Sequence, residues 1–281
     1  MFNKNNFSIN FSLNPKKFSK NLKKTRFFFS TLLKDIQNGD IPLLESYEKD
    51  YQFNFSELEV KKFSKYQNII VVGIGGSILG TKTIYSFLKN KIKKKVFFFD
   101  NLDENLFFRF EKIKNLKNSC FIVISKSGNT LETLTNLGVL FSKNSLKNKL
   151  VIITEITDNY LMNMTSRHNP EIIEHKYFIG GRYSALSEPS MFPAALMGLN
   201  LKKFRNLKML LKNKNFIELL IKSVAGIYTL NSTGVNNSVI LNYNSNLNDL
   251  GFWYQQLVAE SLGKSGMGIN PTLSFGPKDH H

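Results

Sequence analysis

Three short segments of the sequence combine glycine, hydroxyl and charged residues in ways that suit an anionic ligand. Residues 73–77 (GIGGS) and residues 125–130 (SKSGNT) each follow directly on a short apolar run. Small side chains and free backbone N–H groups at the start of a helix favour a phosphate, so both segments are predicted phosphate loops. Residues 180–184 carry Arg182, whose guanidinium offers a fixed fork of donors to an oxyanion. An ordinary helix N-cap and a surface arginine remain the alternatives.

A single carboxylate stands out in the last predicted helix, residues 247–262. Glu260 lies seven residues after Trp253 and so returns to nearly the same helical face, which is apolar. Desolvation on that face would raise the pKa of the carboxyl towards neutrality, as suits a general base that moves a carbon-bound proton. Alternatively, the helix frays here and Glu260 reaches solvent just before Gly263 caps it. Spacing alone leaves both interpretations open.

A dinucleotide site is the main competing interpretation of the first loop. Gly73 and Gly75 match the first two glycines of a G-x-G-x-x-G motif, and Asp100 ends the next apolar run. However, Ile78 occupies the position of the third glycine, and a nicotinamide site would leave residues 125–130 without a role. The sequence therefore disfavours a nicotinamide cofactor.

The apolar runs predict the elements that position these loops. Runs at residues 69–72, 96–99, 120–124 and 150–154 are short and continuous, and helical patterns lie between them. This alternation is typical of βαβ units in a parallel sheet that is covered on both faces. In such a sheet ligands bind at the carboxyl ends of the strands, where both loops are expected. Further predicted elements are a helical N-terminal stretch around 27–36, helices at 193–199 and 247–262, a basic connection at 202–214 and a strand at 238–241.

Composition bounds the class of protein. The chain has 281 residues, 42% of them hydrophobic, which is enough for a buried core. Cys120 is the single cysteine, and the four histidines form no metal set, so neither a disulfide framework nor a metal site is predicted. No apolar run approaches the roughly 18 to 20 residues of a membrane span, and no signal peptide is recognised. We expect a protein of the cytoplasm that does not act at a membrane.

The formal net charge of +17 raises a nucleic-acid alternative. The lysines are scattered along the chain, which is also rich in Asn, Phe and Ile, the pattern expected from an AT-rich genome. We therefore predict no nucleic-acid partner, although the excess charge could help to attract a small anion.

Four motifs taken together resemble the glucose-6-phosphate isomerase (phosphoglucose isomerase) family. They are GIGGS at 73–77, SKSGNTLET at 125–133, GGRYS at 180–184 and ESLGK at 260–264, in the order in which that family has them. The resemblance runs from about residue 68 to the end of the chain. It implies an α/β fold with a parallel-sheet SIS domain (flavodoxin-like, an αβα sandwich) and an incomplete second SIS domain. The expected division is an N-terminal helical segment (1–60) packing on the second domain, a first SIS domain (61–200) and the start of the second (201–281).

The resemblance also implies the roles of individual residues. Glu260 would shuttle the proton between C2 and C1 of an open-chain sugar phosphate, Arg182 would steady the enediolate, and His281 would open the sugar ring from the partner subunit. The residues expected to hold the phosphate are Gly75, Gly76, Ser77, Ser125, Lys126, Ser127 and Thr130. The chemistry would need neither a metal nor another cofactor, and the expected assembly is a homodimer with a shared active site.

The sequence departs from the family pattern in several places. His280 stands where the family usually has Gln, Asn129 replaces a usual Thr, and Glu188-Pro189 follows the GGRYS turn where small or apolar residues are expected. Family members also continue beyond His281 and supply a late catalytic lysine there, so we expect a truncated chain. A non-catalytic sugar-phosphate-binding protein and a bifunctional phosphoglucose/phosphomannose isomerase remain the alternatives.

Overall fold

The protein is described from a computed structural model, which covers residues 13–143, 146, 149–205 and 207–280. The strands are β1 (Asn68–Val72), β2 (Lys95–Phe99), β3 (Ser119–Ile124), β4 (Leu150–Thr154), β5 (Glu171–Glu174), β6 (Asn237–Asn242) and β7 (Asn270–Phe275). The α-helices are α1 (Pro15–Asn38), α2 (Glu57–Ser64), α3 (Gly76–Leu88), α4 (Glu104–Glu111), α5 (Leu131–Lys143), α6 (Tyr160–Thr165), α7 (Glu188–Leu196), α8 (Lys208–Lys212), α9 (Lys214–Asn231) and α10 (Asn248–Leu262).

The first five strands form one parallel sheet in the order β2-β1-β3-β4-β5. Every residue of β1, β3 and β4 is buried, because helices cover both faces of the sheet. Ile122 of β3 belongs to the apolar cluster on one face and Phe121 to the cluster on the other. The predicted parallel α/β sheet and its four predicted strands are confirmed, and β5 is an addition.

The last two strands form a separate parallel pair, β6 with β7. Along β6 exposed and half-buried residues alternate, and Val239 is 62% exposed. Helix α10 packs on this pair so closely that a Cβ at Gly251 would lie 2.5 Å from Leu273 Cδ1.

The N-terminal segment contacts both parts of the molecule. Asn21 of α1 donates a hydrogen bond to Thr229 Oγ1 of α9 at 3.0 Å, so α1 lies along α9. Farther on, the Tyr51 hydroxyl and the Asn54 N–H both donate to the carboxylate of Glu188, at 2.9 and 3.1 Å. Glu188, unusual in the sequence, is fully buried, and desolvation raises its pKa above the ordinary value.

Candidate active site

The two predicted phosphate loops start from neighbouring strands. Residues 73–77 follow β1 and residues 125–130 follow β3, the strands on either side of the point where the chain changes direction across the sheet. A Cβ at Gly73 would lie only 2.9 Å from the carbonyl oxygen of Ile124, so the loops leave the sheet side by side. Crevices at such switch points are where α/β sheets bind ligands.

The first loop is shaped by two glycines that touch the other parts of the site. Gly75 has φ of +56° and caps α3, and a Cβ there would lie 2.9 Å from Gln256 Nε2. A Cβ at Gly76 would lie 2.4 Å from the backbone nitrogen of Arg182. Only glycine allows the start of α3 to approach both groups this closely. Ser77 follows in the first turn of α3 and is half-buried.

The second loop gathers its hydroxyl groups by internal hydrogen bonds. The hydroxyls of Ser125 and Thr130 lie 3.0 Å apart, and Ser127 Oγ accepts a hydrogen bond from the Asn129 N–H at 3.2 Å. The side chain of Lys126 turns towards the neighbouring connections, where it donates to the Tyr177 carbonyl oxygen at 2.6 Å. Its ammonium also lies 3.4 Å from the carboxylate of Glu155.

Arg182 and Glu260, predicted independently from distant segments, form an ion pair. Arg182 Nη1 lies 2.7 Å from Glu260 Oε1, and Arg182 Nε donates to Ser261 Oγ at 2.9 Å. The turn that carries Arg182 is a 3₁₀ helix, Gly181–Leu186, and its Arg182 carbonyl accepts a hydrogen bond from Trp253 Nε1 at 2.9 Å. The first half of the molecule and α10 are therefore joined at this arginine.

Neither of the two interpretations of Glu260 describes its environment fully. Its side chain is 51% exposed in the described chain, so the expectation that the carboxylate is desolvated on an apolar helical face is wrong. The helix does not fray there, because α10 continues to Leu262 and Gly263 N–H donates to the Ala259 carbonyl. The exposed carboxylate accepts hydrogen bonds from Arg182 and Gln256.

Gln256 is a site residue that the sequence reasoning missed. Its Nε2 donates to Glu260 Oε2 at 3.2 Å and lies against Gly75. Its Oε1 is buried and has no hydrogen-bond partner among the described residues. A carboxamide one helical turn before the candidate base, at i and i+4, is the signal that could have identified it.

Ser261 extends the network to Tyr183. Their hydroxyl oxygens lie 3.0 Å apart, and this hydrogen bond lowers the pKa of Tyr183 below its ordinary value. Because Arg182 donates to Ser261 Oγ, the Ser261 proton is free to point at the Tyr183 oxygen.

Two further sequence candidates, Asp100 and His280, bond residues outside this network. Asp100 pairs with Lys82 at 2.6 Å. His280 Nε2 lies 2.5 Å from the Tyr243 hydroxyl at the carboxyl ends of β6 and β7, and His281 falls outside the described residues. Within the part of the chain that the structure describes, no three His, Cys, Asp or Glu residues are grouped as metal ligands, and no helix has the length and apolar character of a membrane span.

Comparison with solved structures identifies the class of fold. A hypothetical protein from Thermus thermophilus superposes with a TM-score of 0.75 at 23% identity, covering 95% of this chain and 68% of that one. A glucose-6-phosphate isomerase from Chlamydia trachomatis superposes with a TM-score of 0.62 at 22% identity, covering 80% of this chain and 48% of that one. The fold is the parallel-sheet α/β fold of the SIS-domain phosphosugar isomerases.

Sequence comparison then identifies the family. The model of the phosphoglucose isomerase family matches residues 52–272. The glucose-6-phosphate isomerase of Methanocaldococcus jannaschii is 32% identical over 263 residues, which cover 90% of this chain and 63% of that protein. The chain belongs to the phosphoglucose isomerase family, and it spans about six-tenths of the length of the relatives with which it aligns best here.

Proposed function

We propose that the protein is an aldose–ketose isomerase that interconverts glucose 6-phosphate and fructose 6-phosphate, as in glycolysis and gluconeogenesis. The observation that carries this proposal is the 2.7 Å pair of Arg182 and Glu260 beside a crevice with two phosphate-type loops. A carboxylate and a guanidinium placed together are the groups that moving a proton through an enediolate requires. Family membership supports the same reaction.

Each group has a defined task in this proposal. The Glu260 carboxylate removes the proton from C2 of the open-chain aldose, and the electron pair forms the C1=C2 bond while the C1 oxygen becomes negative. Arg182 stabilises that oxygen, a proton passes from O2 to O1, and Glu260 returns its proton to C1 to give the ketose. Arg182 bonds Ser261 through Nε and Glu260 through Nη1, so Nη2 is the donor on the fork that neither partner uses and that can face the oxyanion.

The loops would hold the phosphate at the other end of the substrate. Gly75, Gly76 and Ser77 would supply the start of α3, and Ser125, Ser127 and Thr130 would supply hydroxyls from the second loop, with the Lys126 backbone beside them. Separating phosphate binding from proton transfer in this way lets binding energy position the reacting carbons. His281 would open the ring, from the partner subunit of a homodimer.

The organisation of the chain is part of the proposal. We place the first SIS domain at residues 61–200 and the start of the second at 201–281, with the N-terminal segment (1–60) packed on the second through α1 and also in contact with the first at Glu188. The hydrogen bond of Asn21 with Thr229 supports this packing. The single cysteine, Cys120, whose thiol is buried, suits the reducing cytoplasm, where we place the protein.

Isotope exchange tests the proposed reaction. Fructose 6-phosphate is incubated in D₂O with the full chain, including any residues that follow His281, and followed by proton NMR. We expect glucose 6-phosphate with deuterium at C2. Binding of fructose 6-phosphate without any exchange would favour the non-catalytic alternative, and conversion of mannose 6-phosphate would favour the bifunctional one.

A further inference from the structure

We propose that Asn159, together with Asn129, is a positioning residue that holds the 125–130 loop in its phosphate-binding shape before any ligand arrives. The inference rests on the proposed phosphate role of that loop. Neither amide touches the reacting carbons in the proposal, and both act through the backbone of the loop.

Asn159 is locked in place behind the loop. It is only 4% exposed and caps α6, where its Oδ1 accepts a hydrogen bond from the Met162 N–H at 3.0 Å. Its Nδ2 donates to the carbonyl oxygens of Glu155 and Thr157, at 3.2 and 3.0 Å. Both ends of the amide are satisfied, so the side chain has one orientation in this buried position.

The locked amide fills the space beside Gly128. Gly128 has φ of +67°, and a Cβ there would lie 2.1 Å from Asn159 Oδ1. The Gly128 carbonyl oxygen also accepts a hydrogen bond from the Leu161 N–H at 2.9 Å. The middle of the loop therefore rests directly on Asn159 and on the start of α6.

Asn129 completes the attachment from the side of the loop. Its Oδ1 accepts a hydrogen bond from the Tyr160 N–H at 3.0 Å. The N–H groups of Tyr160, Leu161 and Met162, the first three of α6, thus donate to Asn129, Gly128 and Asn159 in turn. Two of these three N–H groups, those of Tyr160 and Leu161, bond the loop directly, and the third bonds the amide that lies against it.

The loop keeps its own donors for a ligand. Within the described residues, no acceptor is found for the backbone N–H groups of Lys126, Ser127 and Thr130. Because the loop is attached from behind, these groups need no reordering when an anion binds, and a preorganised site loses less affinity to ordering. Loosening the attachment should weaken phosphate binding and leave the proton-transfer step unchanged.

The test compares Asn159→Ala and Asn129→Ala with Asn163→Ala in the full chain. Asn163 is an exposed residue of the same helix whose amide bonds only Asp158, so it controls for loss of an amide on α6. We expect the Kd for inorganic phosphate and the KM for fructose 6-phosphate to rise about tenfold in Asn159→Ala and about threefold in Asn129→Ala, with kcat within about twofold. Amide hydrogen exchange of Gly128 and Asn129, the loop residues whose N–H groups are hydrogen-bonded in the free protein, should speed up in both variants. The control should change none of these.

The outcomes separate this inference from the proposed function. Unchanged phosphate affinity in Asn129→Ala, whose exposed position spares the fold, together with unchanged exchange would overturn the positioning role alone. A fall in kcat at constant KM would also overturn it, because that pattern belongs to proton transfer. A wild-type chain that exchanges slowly at Gly128 and Asn129 yet binds neither ligand would overturn the proposed function and this inference with it.

Discussion

The two sheets of the molecule differ in how completely they are covered. In the five-stranded sheet, β1, β3 and β4 are buried along their whole length, whereas β6 in the two-stranded sheet alternates between exposed and half-buried residues. The phosphate loops stand on the first sheet, and Glu260 stands on α10, which packs against the second. In the proposed function, phosphate binding would therefore rest on a sheet that is covered on both faces, and the candidate base would depend on a smaller sheet that is partly exposed.

Arg182 is the connection between these two regions. Its turn packs on the start of α3 at Gly76, and its side chain and carbonyl bond Ser261, Glu260 and Trp253 of α10. Changes on the two sides of this connection should therefore have separable effects on binding and on turnover.

Replacing the candidate base should produce the largest difference between the regions. Glu260→Gln keeps the shape of the side chain but removes its basicity, so we expect turnover of fructose 6-phosphate to fall by about 10²- to 10⁴-fold. Affinity for the substrate, measured by calorimetry, should change by less than about threefold. The exposed Glu104→Gln serves as the control, and equal losses of turnover in the two variants would contradict the assignment.

Truncating an apolar residue in each sheet should show the difference in burial directly. Ile122 of β3 is fully buried, and Ile122→Ala should lower the free energy of unfolding by about 2–5 kcal/mol. Val239 of β6 is 62% exposed, and Val239→Ala should cost less than about 0.5 kcal/mol. Urea unfolding of both variants measures the contrast. A large cost at Val239 would mean that its face of the second sheet is covered in solution.

Replacing the guanidinium of Arg182 should lower turnover by less than the Glu260→Gln change does. Arg182→Lys keeps the charge but cannot bond Ser261 and Glu260 with the same geometry. We expect kcat to fall about 10- to 100-fold while the Kd for inorganic phosphate stays within about threefold. Arg167→Lys, at an exposed position, is the matched control. Loss of phosphate affinity with an unchanged kcat would place Arg182 in the phosphate site instead.

Acid should lower the free energy of unfolding through His175, which lies beside the five-stranded sheet. This histidine, which follows β5, is 1% exposed, and burial lowers its pKa to about 4 from 6.5. Below about pH 6.5 the unfolded chain binds a proton at this position that the folded chain does not bind. The contribution of His175 to the free energy of unfolding is therefore largest above that pH and decreases as the pH drops towards 4. The slope from this group is at most about 1.4 kcal/mol per pH unit. Urea unfolding at pH 7 and pH 5 should show a smaller loss in His175→Gln than in wild type, and equal losses would exclude His175 as the cause.

The sequence predicted the strands where apolar runs are continuous and missed those where they are not. Strand β5 has only two isoleucines between glutamates, and β7 includes Pro271, which weakens a strand pattern. Helix α7 begins at Glu188, five residues before its predicted start, with Pro193 inside it. Pro193 cannot donate to the Pro189 carbonyl, and Thr81 Oγ1 donates to that carbonyl instead, at 3.1 Å. This long-range compensation cannot be read from local sequence.

The residues of the candidate site also fall into a group with a local sequence signature and a group without one. The loops and Arg182 could be proposed from the sequence because glycine, hydroxyl and guanidinium groups have local signatures. The contacts of Gln256 and Asn159 could not, because they arise only where α10 meets Gly75 and where the start of α6 meets Gly128. The ion pair of Glu260 likewise involves a partner, Arg182, that is distant in sequence.

A coupled assay of fructose 6-phosphate conversion tests the central claim most directly. It should be run on the 281-residue chain and on the same chain with any residues that follow His281 in its gene. We expect isomerase activity in the longer protein and phosphate binding in both, since both proposed phosphate loops stand on the buried first sheet. Absence of both activity and sugar-phosphate binding from the longer protein would contradict the account.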